Sequence, residues 1–271
     1  MGYIERDGVK IHYEIHGKQN KTPLLLLMGL GADQTVWEPH RQEYQKYFCC
    51  ISVDNRGAGS SDLGNAEICT TDIMAEDAIA VLQALNIRRS LVAGISMGGA
   101  IAQKILVKKP DLVQALVLID SFGKASAYMK RIMKTLETCY SQLEPLEFDR
   151  VLQAFIYAPQ TFEADPEMIR ERERGIGTGG RMSLEAFEAQ CEACIHHNAM
   201  EELKNITVPA LVAAGKQDLL VSVSEAEELA TCLDAELQVL EGGHVQHFEH
   251  VERFNKLSTE FFLRHAESRE V

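Results

Sequence analysis

Residues 92–100 read VAGISMGGA, which places Ser96 between Gly94 and Gly98, directly after an apolar run and before a stretch with helical spacing. A G-x-S-x-G pattern between a strand and a helix is what a nucleophile elbow requires. The flanking glycines let strand and helix approach, and the hydroxyl stands at a helix N-terminus, where free N–H groups favour negative charge. A serine hydroxyl is a weak nucleophile and needs a base that a third group orients. Asp218 follows the run PALVAAG (209–215), and His244 follows ELQVLE in Gly242-Gly243-His244. In that arrangement Asp218 would hold the His244 tautomer, and the other ring nitrogen would take the Ser96 proton. A capping serine, a turn carboxylate and a loop histidine are the ordinary explanations for the three taken singly. Found together, in this order and each just past a strand, they point to a triad for acyl transfer.

Two further groups complete that chemistry. The tetrahedral intermediate needs N–H donors for its oxyanion. Met97, the residue after the serine, offers one, and Leu30 in Gly29-Leu30-Gly31 offers the other. Both donors are main-chain groups, so the side chains of Leu30 and Met97 are free to vary. Asp120, which ends ALVLID, is a second strand-end carboxylate and the reserve choice of acid. His247 and His250 lack flanking glycines, and His247 is expected to pack or hydrogen-bond locally.

The elements that must position these residues alternate along the chain. Asp7-Gly8 sits between two apolar-polar alternating stretches, a hairpin signal. LLLLMG (24–29) reads as a strand buried on both faces, TVWEPHRQEYQKY as helical, and FCCISVD (48–54) as the next strand. TDIMAEDAIAVLQALNI is an amphipathic helix capped by Thr70 or Thr71. Strands follow at SLVAGI and ALVLID, with the helix MGGAIAQKILVKK between them. From 122 to 205 apolar residues fall at helical spacing instead, in YMKRIMKTLETCYSQL, FDRVLQAFIYA and LEAFEAQCEACI. Alternation resumes with PALVAAG, SEAEELATCL, ELQVLE and a last helix from about Val251 to Arg264. The pattern implies a mostly parallel sheet with helices on both faces. Residues 1–121 and 206–271 would form the core domain, with 122–205 as an inserted helical cap.

The totals agree with such an architecture. The 271 residues are 46% hydrophobic and 25% charged, and a chain of this length buries roughly 75% of its unfolded surface. A formal net charge of −13 disfavours nucleic acid and membrane surfaces as partners. No apolar run approaches the ~20 residues of a membrane span, and the N-terminus lacks a secretory pattern. Seven cysteines without regular spacing suggest reduced thiols and a cytoplasmic setting, with Cys49 and Cys50 as core residues. The composition allows a homodimer without requiring one.

With these segments in place, the chain resembles an α/β-hydrolase over nearly its full length. Residues 54–62, DNRGAGSSD, resemble the D-x-R-G-x-G-x-S-D loop common in that superfamily, and SMGGAIAQ, KKPDLVQALVLID and GGHVQHFEHVERFN resemble its elbow, helix–strand and histidine-loop segments. EAFEAQCEACIHHNAMEELKNITVPAL is most similar to 3-oxoadipate enol-lactonases and related small carboxylesterases. The resemblance implies Ser96 as nucleophile, His244 as base, Asp218 as acid, and Leu30 and Met97 as oxyanion donors. It implies a small-molecule ester or lactone substrate and no metal or organic cofactor. Met28-Gly29 stands where the family often has His-Gly, which keeps the donor but blurs the subfamily. Serine at 96, where haloalkane dehalogenases and epoxide hydrolases place aspartate, argues against those activities. Thioesterases, carbon–carbon bond hydrolases, perhydrolases and non-catalytic receptors share the fold.

Three other patterns are weaker. LLLLMGLGADQ with Asp54 imitates a dinucleotide fingerprint, but Gln34 stands at the third glycine position. Cys191-x-x-Cys194 with His196-His197 hints at a metal site, but helical i, i+3 spacing favours packing. Met129, Met133, Phe155 and Tyr157 are spaced either to face a pocket or to fill the core of the insertion. GIGTGGR (175–181) reads as a mobile joint.

Overall fold

The structure is a computed structural model that describes residues 1–19, 21–176 and 181–266. Eight strands form one sheet: β1 (Gly2–Arg6), β2 (Val9–His16), β3 (Pro23–Leu27), β4 (Cys49–Val53), β5 (Ser90–Ile95), β6 (Val113–Ile119), β7 (Ala210–Gly215) and β8 (Glu236–Leu240). Their order across the sheet is β1-β2-β4-β3-β5-β6-β7-β8. The expected hairpin joins β1 to β2, through Asp7 and Gly8 at φ 54° and 76°, a pair of left-handed residues suited to a tight two-residue turn. β2 runs antiparallel to β4, and every later pairing is parallel.

The helices are α1 (Glu38–Tyr44), α2 (Thr71–Ala84), α3 (Met97–Lys108), α4 (Ala127–Gln142), α5 (Pro145–Ile156), α6 (Pro159–Ala164), α7 (Pro166–Gly175), α8 (Leu184–His196), α9 (Met200–Leu203), α10 (Val223–Leu233), α11 (Gln246–Glu249) and α12 (Val251–His265). Alternation along β3 assigns them to layers. Leu25 and Leu27 pack with residues of α2, α3 and α10, whereas Leu24 and Leu26 pack with Tyr44 of α1 and Phe254, Phe261 and Phe262 of α12. A strand covered on both faces must be apolar throughout, which explains why LLLL reads as an unbroken run. The Thr70 hydroxyl accepts from Ile73 N–H at 3.2 Å and so caps α2. The helical reading of TVWEPHRQEYQKY divides into a 3₁₀ turn, Gln34–Trp37, followed by α1.

Among the described residues, six helices, α4 to α9, lie between β6 and β7, with a single antiparallel bridge, Lys124–Asn198, where the segment leaves and rejoins the sheet. Helix α7 takes in the charged ERER stretch that the sequence does not mark as helical. Ile169 is its one buried residue among those described, and the helix is held by ion pairs. Arg172 pairs with Asp149, Arg150 with Glu173, and Glu167 with both Arg170 and Arg174. Such a helix carries too few apolar residues for a sequence reading to find. Of GIGTGGR, residues 177–180 lie outside the described residues.

The 54–62 loop packs by buried polar contacts. Arg56 directs two nitrogens to Asp77 of α2, at 2.5 and 2.9 Å, and both side chains are buried. Asp54, the acid of the dinucleotide-like pattern, accepts from Gln34 N–H at 2.8 Å and Ser60 N–H at 3.0 Å, and pairs with His12 Nδ1 at 2.8 Å. Its oxygens are committed to the fold, so no carboxylate is left to hold a ribose.

Two buried histidines set a pH dependence of stability. Burial pushes His40 down to about 4 and His197 down to about 3. An unfolded histidine takes its proton near pH ~6.5. Between that pH and the folded values the unfolded chain binds more protons, so stability rises with pH and falls on acidification. Each histidine removes up to about 1.4 kcal/mol per pH unit below ~6.5. Urea unfolding between about pH 7.5 and 4.5 checks this. The midpoint falls across the window, and His40→Gln shows a shallower fall; a flat midpoint would contradict it.

Candidate active site

The residues named for the triad, its reserve acid and the oxyanion donors lie just past the C-terminal ends of parallel strands, the edge where open α/β sheets bind ligands. β3 leads into the 28–31 loop, β5 into Ser96, β6 into Asp120, β7 into the turn carrying Asp218, and β8 into the loop carrying His244. Ser96 has φ 53° and ψ −117°, a strained backbone for a residue with a side chain. The surroundings hold it there. Its N–H donates to Ile119 O at 2.8 Å, and Ser121 Oγ donates to Ser96 O at 2.8 Å. A Cβ on Gly94 would overlap the Gly98 carbonyl, and one on Gly98 would overlap the Leu27 carbonyl. The two glycines of the motif therefore serve close packing of β5, α3 and β3.

The structure brings His244 and Asp218 together: His244 Nδ1 is 2.8 Å from Asp218 Oδ2, and the side chains are 7% and 1% exposed. The other carboxylate oxygen accepts from Leu220 N–H at 2.7 Å and Val221 N–H at 3.0 Å. These bonds lock the carboxylate so that it faces the ring. The histidine loop is fixed in turn by Gly243 N–H to Glu249 at 2.6 Å and Val245 N–H to Ile156 O at 3.2 Å. His244 and Ser96 line one cavity of about 460 Å³. Among the described residues the Ser96 hydroxyl has no hydrogen-bond partner, His244 included. Bonds of this type are commonly long until substrate fills the site.

The loop after β3 borders the same cavity. Leu30 lines it, and a Cβ on Gly29 would be 3.2 Å from Ser96 Cβ, which measures how closely this loop approaches the serine. Among the described residues neither Leu30 N–H nor Met97 N–H donates to a protein group. Met97 is the first residue of α3, where an N–H has no acceptor within the helix. Both amides named from the sequence are thus free for a ligand.

The upper wall comes from the insertion. Met129, Met133 and Leu136 of α4, Leu152 and Ile156 of α5, Arg172 of α7 and Cys194 of α8 line the cavity. The four residues of the insertion weighed from the sequence, Met129, Met133, Phe155 and Tyr157, all belong to one hydrophobic core, and Met129 and Met133 also line the cavity. Arg172 brings a cation to this wall, held by Asp149 at 2.6 and 2.8 Å.

Asp120 does not reach His244. It forms a second imidazole–carboxylate pair, with His247 Nδ1 at 3.1 Å, and both side chains are 0% exposed. His247 packs, as expected, against His40, Phe248 and Phe254, but its hydrogen bond runs across the fold and not locally, because α11 turns its ring inward toward the end of β6. Asp120 also accepts from Gly215 N–H at 2.8 Å and Gln246 Nε2 at 3.4 Å. Burial first, and then the nearby Asp218 charge, hold the Asp120 carboxyl well above the usual carboxylate range. Burial also drives His247 well below its usual value, with His40 and His244 adding to the effect. The pair cross-links the ends of β6 and β7 to the segment that follows His244. The sequence marks Asp120 only as a strand-end acid, and no local pattern shows its partner.

The cysteine–histidine cluster does not converge. Cys191 and Cys194 are buried, and burial raises the Cys194 thiol to about 12. His196 is exposed beside Glu192 at 3.1 Å, while His197 bonds Thr71 at 3.0 Å and Gln103 at 3.2 Å inside the protein. Among the described residues no group of three or more His, Cys, Asp or Glu could hold a metal ion. No described helix is long and apolar enough to cross a membrane.

The chain is 27% identical over 253 residues to 3-oxoadipate enol-lactonase 2 of Acinetobacter baylyi, covering 91% of each chain. It is 27% identical over 223 residues to a putative carbamate hydrolase, RutD, of Azorhizobium caulinodans, covering 82% of each. The crystal structure of the enol-lactonase from Burkholderia xenovorans LB400 superposes with a TM-score of 0.87 at 22% identity, covering 97% of this chain and 100% of the other. Residues 44–250 match the family described as serine aminopeptidase, S33. The protein accordingly belongs to that hydrolase family and has the α/β-hydrolase fold.

Proposed function

We propose that this hydrolase cleaves a carboxylic ester or lactone through Ser96, His244 and Asp218. The observation that carries the reading is the buried His244–Asp218 pair, with His244 on the cavity that Ser96 and Leu30 also line, together with the Leu30 and Met97 amides, which are unpaired among the described residues. His244 Nε2 takes the Ser96 proton as Oγ attacks the carbonyl, and the oxyanion is held by the two amides. The imidazolium then returns the proton to the leaving oxygen as the C–O bond breaks. Water, deprotonated by the same ring, attacks the acyl-enzyme and releases the acid and Ser96. Asp218 orients the ring and stabilises its charge throughout. No step calls for a metal or organic cofactor. Helices α4 to α9 act as a cap over an apolar binding space and select the substrate.

The names of the relatives support an ester-like bond: one is an enol-lactonase and another a putative carbamate hydrolase. The choice is tested by a turnover panel of activated esters, lactones, thioesters, carbamates and β-diketones, run beside labelling by a fluorophosphonate. The expected result is phosphonylation at Ser96, with kcat/KM for the best ester or lactone at least about tenfold above the other classes, a preference of about 1.4 kcal/mol. Faster turnover of a carbamate or β-diketone would replace the ester reading. Labelling at another residue would remove the triad itself.

A further inference from the structure

Helix α8 carries a buried glutamine beside the loop that follows β3. Gln190 is 0% exposed, and its amide is spent on two loops remote from each other in sequence. Its Oε1 accepts from Gly31 N–H at 2.9 Å, and its Nε2 donates to Arg56 O at 2.8 Å. Only one orientation of the amide satisfies an N–H on one side and a carbonyl on the other. Each anchor is itself restrained. Arg56 is bound to Asp77, and Asn55 Nδ2 donates to Met28 O at 2.7 Å. The 28–31 loop is therefore held from the core side by Asn55 and from the insertion side by Gln190.

We propose that Gln190 is a positioning residue for the oxyanion: by clamping Gly31 to Arg56 it keeps the adjacent Leu30 N–H beside Ser96. This rests on the serine-hydrolase reading given above. The clamp also occupies the Gly31 N–H, so Leu30 carries the free amide of that turn. The same helix packs Phe187 against Gly31 and contributes Cys194 to the cavity wall, so one rigid element both bounds the substrate space and sets the donor. A donor displaced by a fraction of an ångström loses strength in the transition state, where the oxyanion exists, and not in ground-state binding.

The test compares Gln190→Met, an unbranched side chain of similar length, with Gln190→Glu, which retains an acceptor for the Gly31 N–H. Turnover of p-nitrophenyl acetate is expressed per active site, counted by end-point labelling with a fluorophosphonate, and thermal melting is followed alongside. For Gln190→Met, kcat per site falls about 10- to 100-fold, KM stays within about threefold, and the rate of phosphonylation falls in parallel. Gln190→Glu regains at least about fivefold of the lost rate. A merely structural glutamine would lower the melting temperature and the count of active sites but leave kcat per site unchanged. A Gln190→Met rate within about twofold of wild type, or no recovery in Gln190→Glu, overturns the inference. If Gln190→Met does not fold, Gln190→Asn, whose amide is one methylene too short to span both loops, takes its place with the same expected loss. Ser96→Ala, run beside them, separates the two ideas. Activity surviving there overturns the hydrolase reading and this inference together, whereas an inactive Ser96→Ala with a normal Gln190→Met overturns the inference alone.

Discussion

Ser96→Ala lowers kcat on an activated ester by about 10⁶-fold, with KM and the fold essentially unchanged. The size follows from how the site divides its labour. In the proposed mechanism the nucleophile and its base act as a unit, so removing either removes nearly all covalent catalysis, and the remaining rate comes from binding and from the two amides. The substitution deletes one oxygen from a position whose backbone is set by its surroundings: Ser96 N–H on Ile119 O, Ser121 Oγ on Ser96 O, and the glycine packing of β5, α3 and β3. Alanine meets the same φ of 53° and makes the same two backbone bonds, so neither melting temperature nor cavity shape has cause to move. Steady-state kinetics with p-nitrophenyl acetate, together with thermal melting, checks both halves. A loss below about tenfold would mean that another group attacks the carbonyl, and the assignment of Ser96 would fall.

What the sequence makes legible, and what it hides, follows from the range of the interactions. β3 can be read from LLLL because burial on both faces forces an apolar run, and α2 from Thr70 because a cap is a local bond between a side chain and an amide three residues on. Ser96 is readable for the same reason, since its strain and its glycines are neighbours in the chain. Asp218 and His244 are harder, because their contact joins positions 26 residues apart. Strand order settles it: both follow adjacent parallel strands, β7 and β8, and so emerge at one edge. The hidden features lack such a rule. Helix α7 is held by charge pairs, so its apolar spacing is blank. The His247–Asp120 bond spans 127 residues, and the Gln190 clamp spans 159 and 134. Each depends on where the insertion and the last helices settle against the sheet, a result of tertiary packing that no window of sequence encodes.

The two buried carboxylates offer the second large effect and the sharpest choice between acids. Asp218→Asn reduces kcat by about 10⁴-fold. The asparagine oxygen can still accept from Leu220 and Val221 N–H, so the loop keeps its shape, but its NH₂ then faces His244 Nδ1. The ring must place its proton on Nε2, the nitrogen required to accept from Ser96, and the imidazolium loses its counter-charge as it forms. Asp120→Asn has a different consequence. Burial raises the Asp120 carboxyl above the usual carboxylate range, so replacing it with an uncharged amide is the milder change. An amide oxygen can accept from Gly215 N–H as the carboxyl does, and an amide NH₂ can donate to His247 Nδ1. Its kcat therefore stays within about tenfold of wild type. Measured side by side with active-site titration, the two variants separate an acid that must carry charge during turnover from one that serves as a structural cross-link. If Asp120→Asn proves the more damaging per active site, the roles are reversed and His244 is served from β6. Because the carboxylates lie on adjacent strands and share one electrostatic environment, the double variant adds the remaining information. A loss no greater than that of Asp218→Asn alone means that Asp120 contributes nothing once the His244 tautomer is wrong.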